Sequence, residues 1–341
     1  MPRLLQAMAP HPTLQGEGSP RLTVVGRRVT GRSRLYFLGE ADRAPTFVAK
    51  VPLADAPSHH PPLDAPAQFE ALRRSHAWFR QEDRHAVVEP VACLPDLGAL
   101  VMRHAPGPTV AASLARALAD PVQARQAVGA AGDFLRRFHA HGAAADAEVD
   151  LRALADDLGE EALAVLTPLG LQPTRAVLQA LREAPRSRVA VRQVLRHGDF
   201  VGANLIVSGP NSVTMIDPSL AECGLPDDDL ARFLAHLSST TSLMAGLAWP
   251  PAARLRRELE QAFLAAYGST PNPPAVFEIR LLRQLLLRWA RRTEHAMARA
   301  SGTALRAQRL VVDLHMGRLL DRCAVRLRQA LREPPFAEPV G

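Results

Sequence analysis

Hydrophobic residues in the first hundred positions fall in short runs that alternate with turn-forming residues. Three such runs, at 22–25, 35–38 and 46–51, are separated by glycine, proline and charged residues. Short apolar runs bounded in this way predict β-strands, and their close spacing predicts an antiparallel meander. Two further strands are predicted at 86–93 and 99–102.

A helical period of hydrophobic residues dominates most of the remaining chain. Phe69, Leu72, His76 and Phe79 lie on one stripe, so we predict a helix from Asp64 to about residue 80. Further helices are predicted at 109–118, 121–141, 150–165 and 173–183 and through most of 227–333, with a β-rich interruption at 193–217.

These patterns predict an α+β protein with two lobes. The stretch 105–108 holds two prolines, which cannot continue a strand ladder, and we place a boundary there. The predicted organisation is a loose segment at 1–20, a sheet-rich N-lobe at 21–104, a mostly helical C-lobe at 105–333 and a flexible tail at 334–341.

The net charge of +7 raises nucleic acid, a membrane surface or an anionic ligand as partners. The basic residues are spread along predicted helices such as 281–293, and aromatic residues, at 5%, are too sparse for a base-stacking platform. We therefore expect neither nucleic acid nor a membrane as a partner. The three cysteines lie far apart and show no disulfide or metal-binding spacing.

Residues 1–13 lack the long apolar region of a secretion signal, so we expect a cytoplasmic protein.

Lys50 is the only lysine in a chain that has forty arginines. A lysine retained against this preference indicates a position that arginine cannot fill, because lysine is a compact point charge and arginine is a wide planar fork. Lys50 lies in the predicted strand 46–51, and kinase-type nucleotide sites place a lysine on a β-strand.

A predicted β-hairpin near residue 210 brings polar residues together at its open end. Its strands are Leu205–Ser208 and Val213–Ile216, and counting outward from the turn places Asn204 opposite Asp217. Opposed side chains of antiparallel strands have Cβ atoms about 4.5–5.5 Å apart. An amide oxygen and a carboxylate at that distance suit Mg²⁺, which prefers oxygen ligands.

Asp199 lies five residues before Asn204, on the segment that enters the hairpin. A carboxylate there can accept a hydrogen bond from a substrate hydroxyl and orient it toward a phosphoryl group. The alternative is an ordinary hairpin whose polar residues serve turns. Turn chemistry explains Gly209 and Asn211, but it does not explain Asp199, Asn204 or Asp217, which border apolar runs.

The pattern His197-Gly198-Asp199-x-x-x-x-Asn204, followed by Ile216-Asp217 and Gly224-x-Pro226-x-x-Asp229, resembles the aminoglycoside phosphotransferase family. That family has the protein-kinase-like fold and includes choline kinases. The resemblance extends over about 22–270 and is strongest over 197–231. It implies a bilobal ATP-dependent kinase that transfers the γ-phosphate to a hydroxyl of a small metabolite or an aminoglycoside-like antibiotic.

The resemblance also implies roles for individual residues. Asp199 would be the catalytic aspartate, Asn204 and Asp217 would bind Mg²⁺, and Lys50 would hold the α- and β-phosphates of ATP. Glu70, on the predicted helix, would pair with Lys50 and hold it in position, and Glu82 is the alternative partner.

Other implied contacts concern the adenine and the β-phosphate. Met102 would line the adenine pocket, and Arg103 and Ala105 would offer backbone hydrogen bonds to adenine. The amides near Gly31 and the Ser33 hydroxyl would reach the β-phosphate, although the segment lacks the full Gly-x-Gly-x-x-Gly pattern. Family members often lack it as well. By contrast, His139, His197 and Asp229 are expected to have structural roles.

The charge of the acceptor stays open at this point. Carboxylates at 156–157 and 160–161 favour a cationic acceptor, and arginines between 280 and 292 favour an anionic one. A protein serine/threonine kinase is a second hypothesis, but only eleven residues separate Asp217 from Asp229, too few for a long activation segment. A catalytically silent nucleotide-binding regulator is a third hypothesis, and the complete set of site residues argues against it.

Overall fold

The computed structural model describes residues 8, 22–30, 33–53, 65–142, 144–218, 223–244, 249–270, 272–299 and 301–333. Apart from residue 8, the segments predicted to be loose, 1–20 and 334–341, lie outside the described residues, as do Gly31 and the predicted helix cap Asp64.

Two compact units make up the chain. The first comprises the described residues of 1–109 and 204–220, and the second those of 110–203 and 221–341. The predicted boundary at 104/105 assigned the hairpin after Asn204 to the C-lobe, whereas the structure groups it with the sheet-rich unit.

A five-stranded antiparallel sheet forms the centre of the first unit. The elements of this unit are β1 (Thr23–Val29), β2 (Ser33–Gly39), β3 (Phe47–Pro52), helix α1 (Ala65–Phe79), β4 (Ala86–Val87), β5 (Pro90–Leu94) and β6 (Ala99–Arg103). The strands of the sheet follow the order β1-β2-β3-β6-β5, so the predicted meander of the first three strands is present. Alternate residues of β2 and β3 point to one face, where Leu38 and Ala49 are fully buried.

The single strand predicted at 86–93 is two strands. The Val88 N–H donates to the Met215 carbonyl at 2.9 Å, whereas residues from Pro90 onward pair with β6. Pro90 has no N–H to donate, so the chain changes its sheet partner at this point.

The predicted hairpin is present as β9 (Leu205–Gly209) and β10 (Ser212–Met215), and β10 also pairs in parallel with β4. The predicted register is wrong by one residue. Leu205 lies opposite Met215, and the Ile216 N–H donates to the Asn204 carbonyl at 3.1 Å, so Asp217 is one residue beyond the position opposite Asn204. The turn has two residues instead of four, and Ser208 is an extra residue in β9, as in a β-bulge.

The second unit is mostly helical, in agreement with the predicted α+β class. Its helices are α2 (Val110–Ala115), α3 (Pro121–His141), α4 (Leu151–Leu166), α5 (Arg175–Arg182), α6 (Pro226–Ser238), α7 (Thr241–Met244), α8 (Pro250–Tyr267), α9 (Pro274–Arg299) and α10 (Gly302–Ala330). None of the helices in the described ranges is long and apolar enough to span a membrane.

A three-stranded sheet accompanies these helices, in the order β11 (Cys223–Gly224), β8 (Arg188–Leu195) and β7 (Ala145–Asp150). The sequence did not predict β7, because its alanines and acidic residues give no strand pattern. The core of the unit contains stacked aromatic rings, with Phe233 and Phe263 centroids 4.3 Å apart. Helices α3 and α8 cross closely at Gly132, where a Cβ would overlap the Phe263 carbonyl oxygen.

Candidate functional site

Lys50 and Asp217 form an ion pair within the first unit. The Lys50 Nζ lies 2.6 Å from the Asp217 Oδ2, although 167 positions separate the two residues in sequence. The Lys50 side chain is only 14% exposed and that of Asp217 is 33% exposed. The pair is therefore better shielded from solvent than an ordinary surface salt bridge, and its charge-assisted hydrogen bond is correspondingly stronger.

The two ends of the hairpin carry side-chain oxygens. Asn204 immediately precedes β9 and Asp217 follows β10, so both residues lie at the open end of the hairpin. An amide oxygen and a carboxylate are ligands that Mg²⁺ and Ca²⁺ accept. In the described part of the chain, no group of three or more His, Cys, Asp or Glu residues is placed to hold a metal ion. The donor set therefore fits a cation that takes its other ligands from phosphate oxygens and water, and it does not fit a closed protein cage.

The predicted pair between Lys50 and Glu70 is not formed, and in this structure that prediction is wrong. The Glu70 carboxylate accepts two hydrogen bonds from the Arg73 guanidinium, both at 2.9 Å. The hydrogen bond from Arg73 lowers the pKa of Glu70. Arg73 lies three residues away on the same helix and binds in a two-pronged geometry that a distant lysine cannot match.

The residues predicted to contact adenine lie at and after the end of β6. Met102 is buried opposite Val48. The Arg103 N–H donates to the Glu89 carbonyl at 2.9 Å, so only the Arg103 carbonyl remains for a ligand on the backbone. Ala105 has no backbone hydrogen bond to any residue in the described ranges, which leaves its N–H and carbonyl for a ligand.

Ser33 begins β2 and is buried. Its N–H donates to the Thr30 Oγ1 at 3.0 Å, and its carbonyl accepts from the Thr30 N–H at 2.8 Å. Both backbone groups of Ser33 therefore close a turn with Thr30. Gly31, the other predicted phosphate contact, lies outside the described residues.

Asp229 anchors the loop that carries Asp199 in the second unit, in agreement with the structural role that the sequence predicted. Its carboxylate accepts hydrogen bonds from the His197 N–H at 2.6 Å, the Gly198 N–H at 2.9 Å and the His139 Nε2 at 3.1 Å. Burial by itself raises the pKa of Asp229, but the hydrogen bond and charge of His139, together with His197, lower it overall. The ionised carboxylate thus fixes the backbone immediately before Asp199.

Gly198 has a φ of +83°, a conformation that residues with a Cβ rarely adopt. The chain turns at this glycine and presents Asp199, whose side chain is 39% exposed. The Arg232 Nη1 donates to the Asp199 Oδ1 at 3.1 Å and orients the carboxylate. The sequence prediction missed Arg232. Its position three residues after Asp229 places it on the same face of α6, which could have indicated that it lies near the loop.

The two histidines have structural surroundings, as expected. His197 is fully buried, with its ring centroid 5.7 Å from that of Phe138 and 5.4 Å from that of Phe200. The ring of His139 is hydrogen-bonded to the Asp229 carboxylate and to the Tyr267 hydroxyl.

Three solved structures illustrate the similarity of the fold. An aminoglycoside phosphotransferase from Alicyclobacillus acidocaldarius is 15% identical with a TM-score of 0.53, and the alignment covers 90% of this chain and 92% of that one. An amicoumacin kinase in complex with AMP-PNP, Ca²⁺ and its antibiotic is 14% identical with a TM-score of 0.54, covering 96% and 93%. A glucosamine kinase in complex with glucosamine, ADP and inorganic phosphate is 17% identical with a TM-score of 0.52, covering 93% and 82%.

Among curated proteins, no sequence matches this chain. The family model of the phosphotransferase enzyme family (APH) matches residues 27–277, about three quarters of the chain. This range contains Lys50, Asp199, Asn204 and Asp217, the residues on which the predicted resemblance depends most. The chain therefore belongs to the phosphotransferase enzyme family, and the prediction of a phosphotransferase with an alcohol group as acceptor is confirmed.

Proposed function

We propose that this protein transfers the γ-phosphate of ATP to a hydroxyl group of a small molecule. The observation that carries the proposal is the partly buried ion pair between Lys50 and Asp217. In kinase-like sites, a strand lysine binds the nucleotide phosphates and an aspartate binds the metal ion. The ion pair brings these two groups together within the first unit.

The nucleotide would be bound mainly by the first unit. The Lys50 ammonium would move from Asp217 to phosphate oxygens, which carry more negative charge than a single carboxylate. Asn204 and Asp217 would then hold Mg²⁺, which would neutralise charge on the phosphate oxygens. The nucleotides and Ca²⁺ named for the glucosamine and amicoumacin kinases support a nucleotide and a divalent cation in this chain.

Asp199 would act on the acceptor. Its carboxylate would accept a hydrogen bond from the acceptor hydroxyl and orient the oxygen toward the γ-phosphorus. As the new P–O bond forms and the bond to the ADP oxygen breaks, the hydroxyl proton would pass to Asp199. Arg232 would keep the carboxylate in place, and the rate would come mainly from positioning and charge neutralisation.

Nucleotide binding is tested by thermal denaturation with and without MgATP. A ligand at 100 times its Kd stabilises a protein by about 2.7 kcal/mol. We expect this stabilisation in the wild-type protein and in Asp96→Asn, a control that changes an exposed carboxylate of the same unit. We expect its loss in Asp217→Asn, and equal stabilisation of all three proteins would contradict the assignment.

Phosphoryl transfer is tested by ATP consumption with a panel of hydroxylated small molecules, and the products are identified by mass spectrometry. Asp199→Asn should retain MgATP binding and lose transfer. Wild-type turnover by this variant would refute the role of Asp199. Binding without transfer to any small molecule in the wild type would favour the silent regulator, and phosphorylation of serine or threonine in proteins would favour the protein kinase.

A further inference from the structure

A cavity of about 420 Å³ lies in the second unit, where its wall includes residues of α4, α9 and β8. Ligand pockets of proteins commonly have volumes of about 300–1,000 Å³, so this cavity is large enough for a small molecule. Neither Asp199 nor Arg232 is among the residues that line it. The cavity is therefore separate from the side chains proposed to act on the acceptor hydroxyl.

Two ion pairs give the cavity wall a fixed pattern of charge. The Arg283 guanidinium donates two hydrogen bonds to the Glu161 carboxylate, at 2.5 and 2.7 Å. The Arg196 Nη1 donates to the Asp228 Oδ2 at 2.8 Å. In total, the wall holds three guanidinium groups and three carboxylates. A ligand with a net charge of either sign would meet groups of like charge there, so the wall favours a ligand without net charge.

Arg280 differs from the other two arginines of the wall in its hydrogen bonding. Its side chain is only 21% exposed, and its Nε lies 3.5 Å from the Asp228 Oδ1 without a hydrogen bond between the two atoms. In the described part of the chain, the Arg280 guanidinium donates no hydrogen bond. Arg196 and Arg283 are more exposed, at 28% and 29%, and both donate to carboxylates. Arg280 therefore has N–H groups that a ligand oxygen can accept.

Two more polar side chains of the wall have no hydrogen bond within the described ranges. Asp157 is exposed on α4, and Gln193 is half-buried on β8. A carboxylate only accepts hydrogen bonds, a guanidinium only donates them, and an amide does both. A hydroxyl group can donate one hydrogen bond and accept two, so it can bind any of these three side chains. The set fits a ligand that carries several hydroxyl groups.

Two apolar side chains complete the wall that this argument uses. Leu225, immediately before α6, is buried, and Val149 of β7 is half-buried. Their surfaces suit the C–H groups of a ring whose hydroxyls point toward the polar side chains.

We propose that this cavity binds an uncharged polyhydroxylated molecule, such as a monosaccharide or a cyclitol, at a site distinct from Asp199. The hydroxyls of the ligand accept hydrogen bonds from Arg280 and donate to Asp157, and the Gln193 amide binds a further hydroxyl. The inference goes beyond the proposed function, because binding in this cavity requires neither ATP nor Asp199.

Isothermal titration calorimetry on the whole chain tests the proposal. The uncharged probes are glucose, galactose, xylose and myo-inositol, and the charged counterparts of glucose are glucosamine and gluconate. Sugars also stabilise folded proteins by exclusion from their surface, so the criterion is a saturable heat of binding and not a rise in Tm.

The cavity variants are Asp157→Ala and Gln193→Met, which remove hydrogen-bonding groups without breaking any ion pair in the described ranges. The matched control is Glu160→Ala, which removes an exposed carboxylate of α4 that does not line the cavity.

We expect at least one uncharged probe to bind saturably, and more tightly than glucosamine or gluconate. Asp157→Ala should raise its Kd about tenfold or more, the effect of losing a hydrogen bond to a charged group, and Gln193→Met about threefold. Glu160→Ala should bind as the wild type does. The proposal is overturned by the absence of saturable binding for every uncharged probe, by tighter binding of a charged probe, or by an unchanged Kd in both cavity variants.

The variant Asp199→Asn separates the cavity from the position of the acceptor. It should bind the uncharged probe with the Kd of the wild type, because Asp199 does not line the cavity. Loss of binding in Asp199→Asn, together with an unchanged Kd in Asp157→Ala, would assign the probe to the acceptor position and overturn the proposal. Failure of MgATP to stabilise the wild type would reject the proposed function and leave this result unaffected, so the two failures are distinguishable.

Discussion

Replacing Asp229 by asparagine is expected to destabilise both the fold of the second unit and the loop that carries Asp199. Asparagine keeps the size of the side chain but retains only one acceptor oxygen for three donors, namely the N–H groups of His197 and Gly198 and the ring of His139. The amide NH₂ must then face at least one buried N–H. A hydrogen bond to a charged group contributes about 1.5–3 kcal/mol, and a buried donor left without a partner costs about 1–3 kcal/mol.

The cheaper burial of a neutral amide offsets part of this loss, so we expect a destabilisation of about 2–4 kcal/mol. For a unit of this size, 1 kcal/mol lowers Tm by about 2–4 °C, which gives a decrease of about 4–16 °C. The folded pKa of Asp229 lies below its unfolded value, so its contribution is complete above about pH 4 and is lost as the pH falls further. The measurement therefore belongs at pH 7.

Thermal denaturation and kcat are measured on Asp229→Asn and on Asp146→Asn, which changes an exposed carboxylate of β7. Displacement of the loop by about 1 Å should lower kcat about 100-fold, with MgATP binding retained. A variant with the Tm and kcat of the wild type would refute the argument that Asp229 fixes the backbone before Asp199.

Two further predictions concern single charged groups. Lys50→Arg should lower kcat/KM for ATP at least about tenfold, because the arginine fork fits poorly among phosphate oxygens. Tm should change by only a few degrees, since arginine can still pair with Asp217. Near-normal ATP kinetics would show that the single lysine has no special role. Burial raises the pKa of Asp227 to about 6, although the hydrogen bond from Asn272 lowers it. The folded state therefore favours the protonated acid, and it loses stability as the pH rises from about 4 to 6. This pH change lowers the free energy of unfolding by at most about 3 kcal/mol. Asp227→Asn should remove the pH dependence of stability measured by urea denaturation. An unchanged pH profile in the variant would contradict the assignment.

The sequence predicted the site residues that border apolar runs. Lys50 and Asp217 were recognisable because charged residues within or next to apolar strands indicate a function that packing alone does not explain. The structure joins the two side chains in an ion pair. The register of the hairpin was not predictable in the same way. The extra residue at Ser208 and the two-residue turn with Asn211 at a φ of +57° depend on local backbone geometry that the pattern of hydrophobic residues does not specify.

Contacts between side chains that are distant in sequence were harder to predict. Glu70 was predicted to pair with Lys50, but in the structure its carboxylate binds Arg73, one helical turn away. Arg232 reaches Asp199 because α6 packs beside the loop that carries Asp199, which the sequence pattern does not specify. The arginines near residue 290 were visible in the sequence, but the side chains that they contact were not, so the sequence left the charge of the acceptor open.

Because the first unit is discontinuous in sequence, it can be completed only late in synthesis. Residues 110–203 interrupt that unit, and β4 pairs with β10, which leaves the ribosome only after the interruption has been made. At about 5–20 residues per second, the 167 positions between Lys50 and Asp217 correspond to about 8–33 s of translation. During that time the nascent sheet carries its lysine without the carboxylate that pairs with it. An N-terminal fragment ending at residue 109 would remain permanently at this stage.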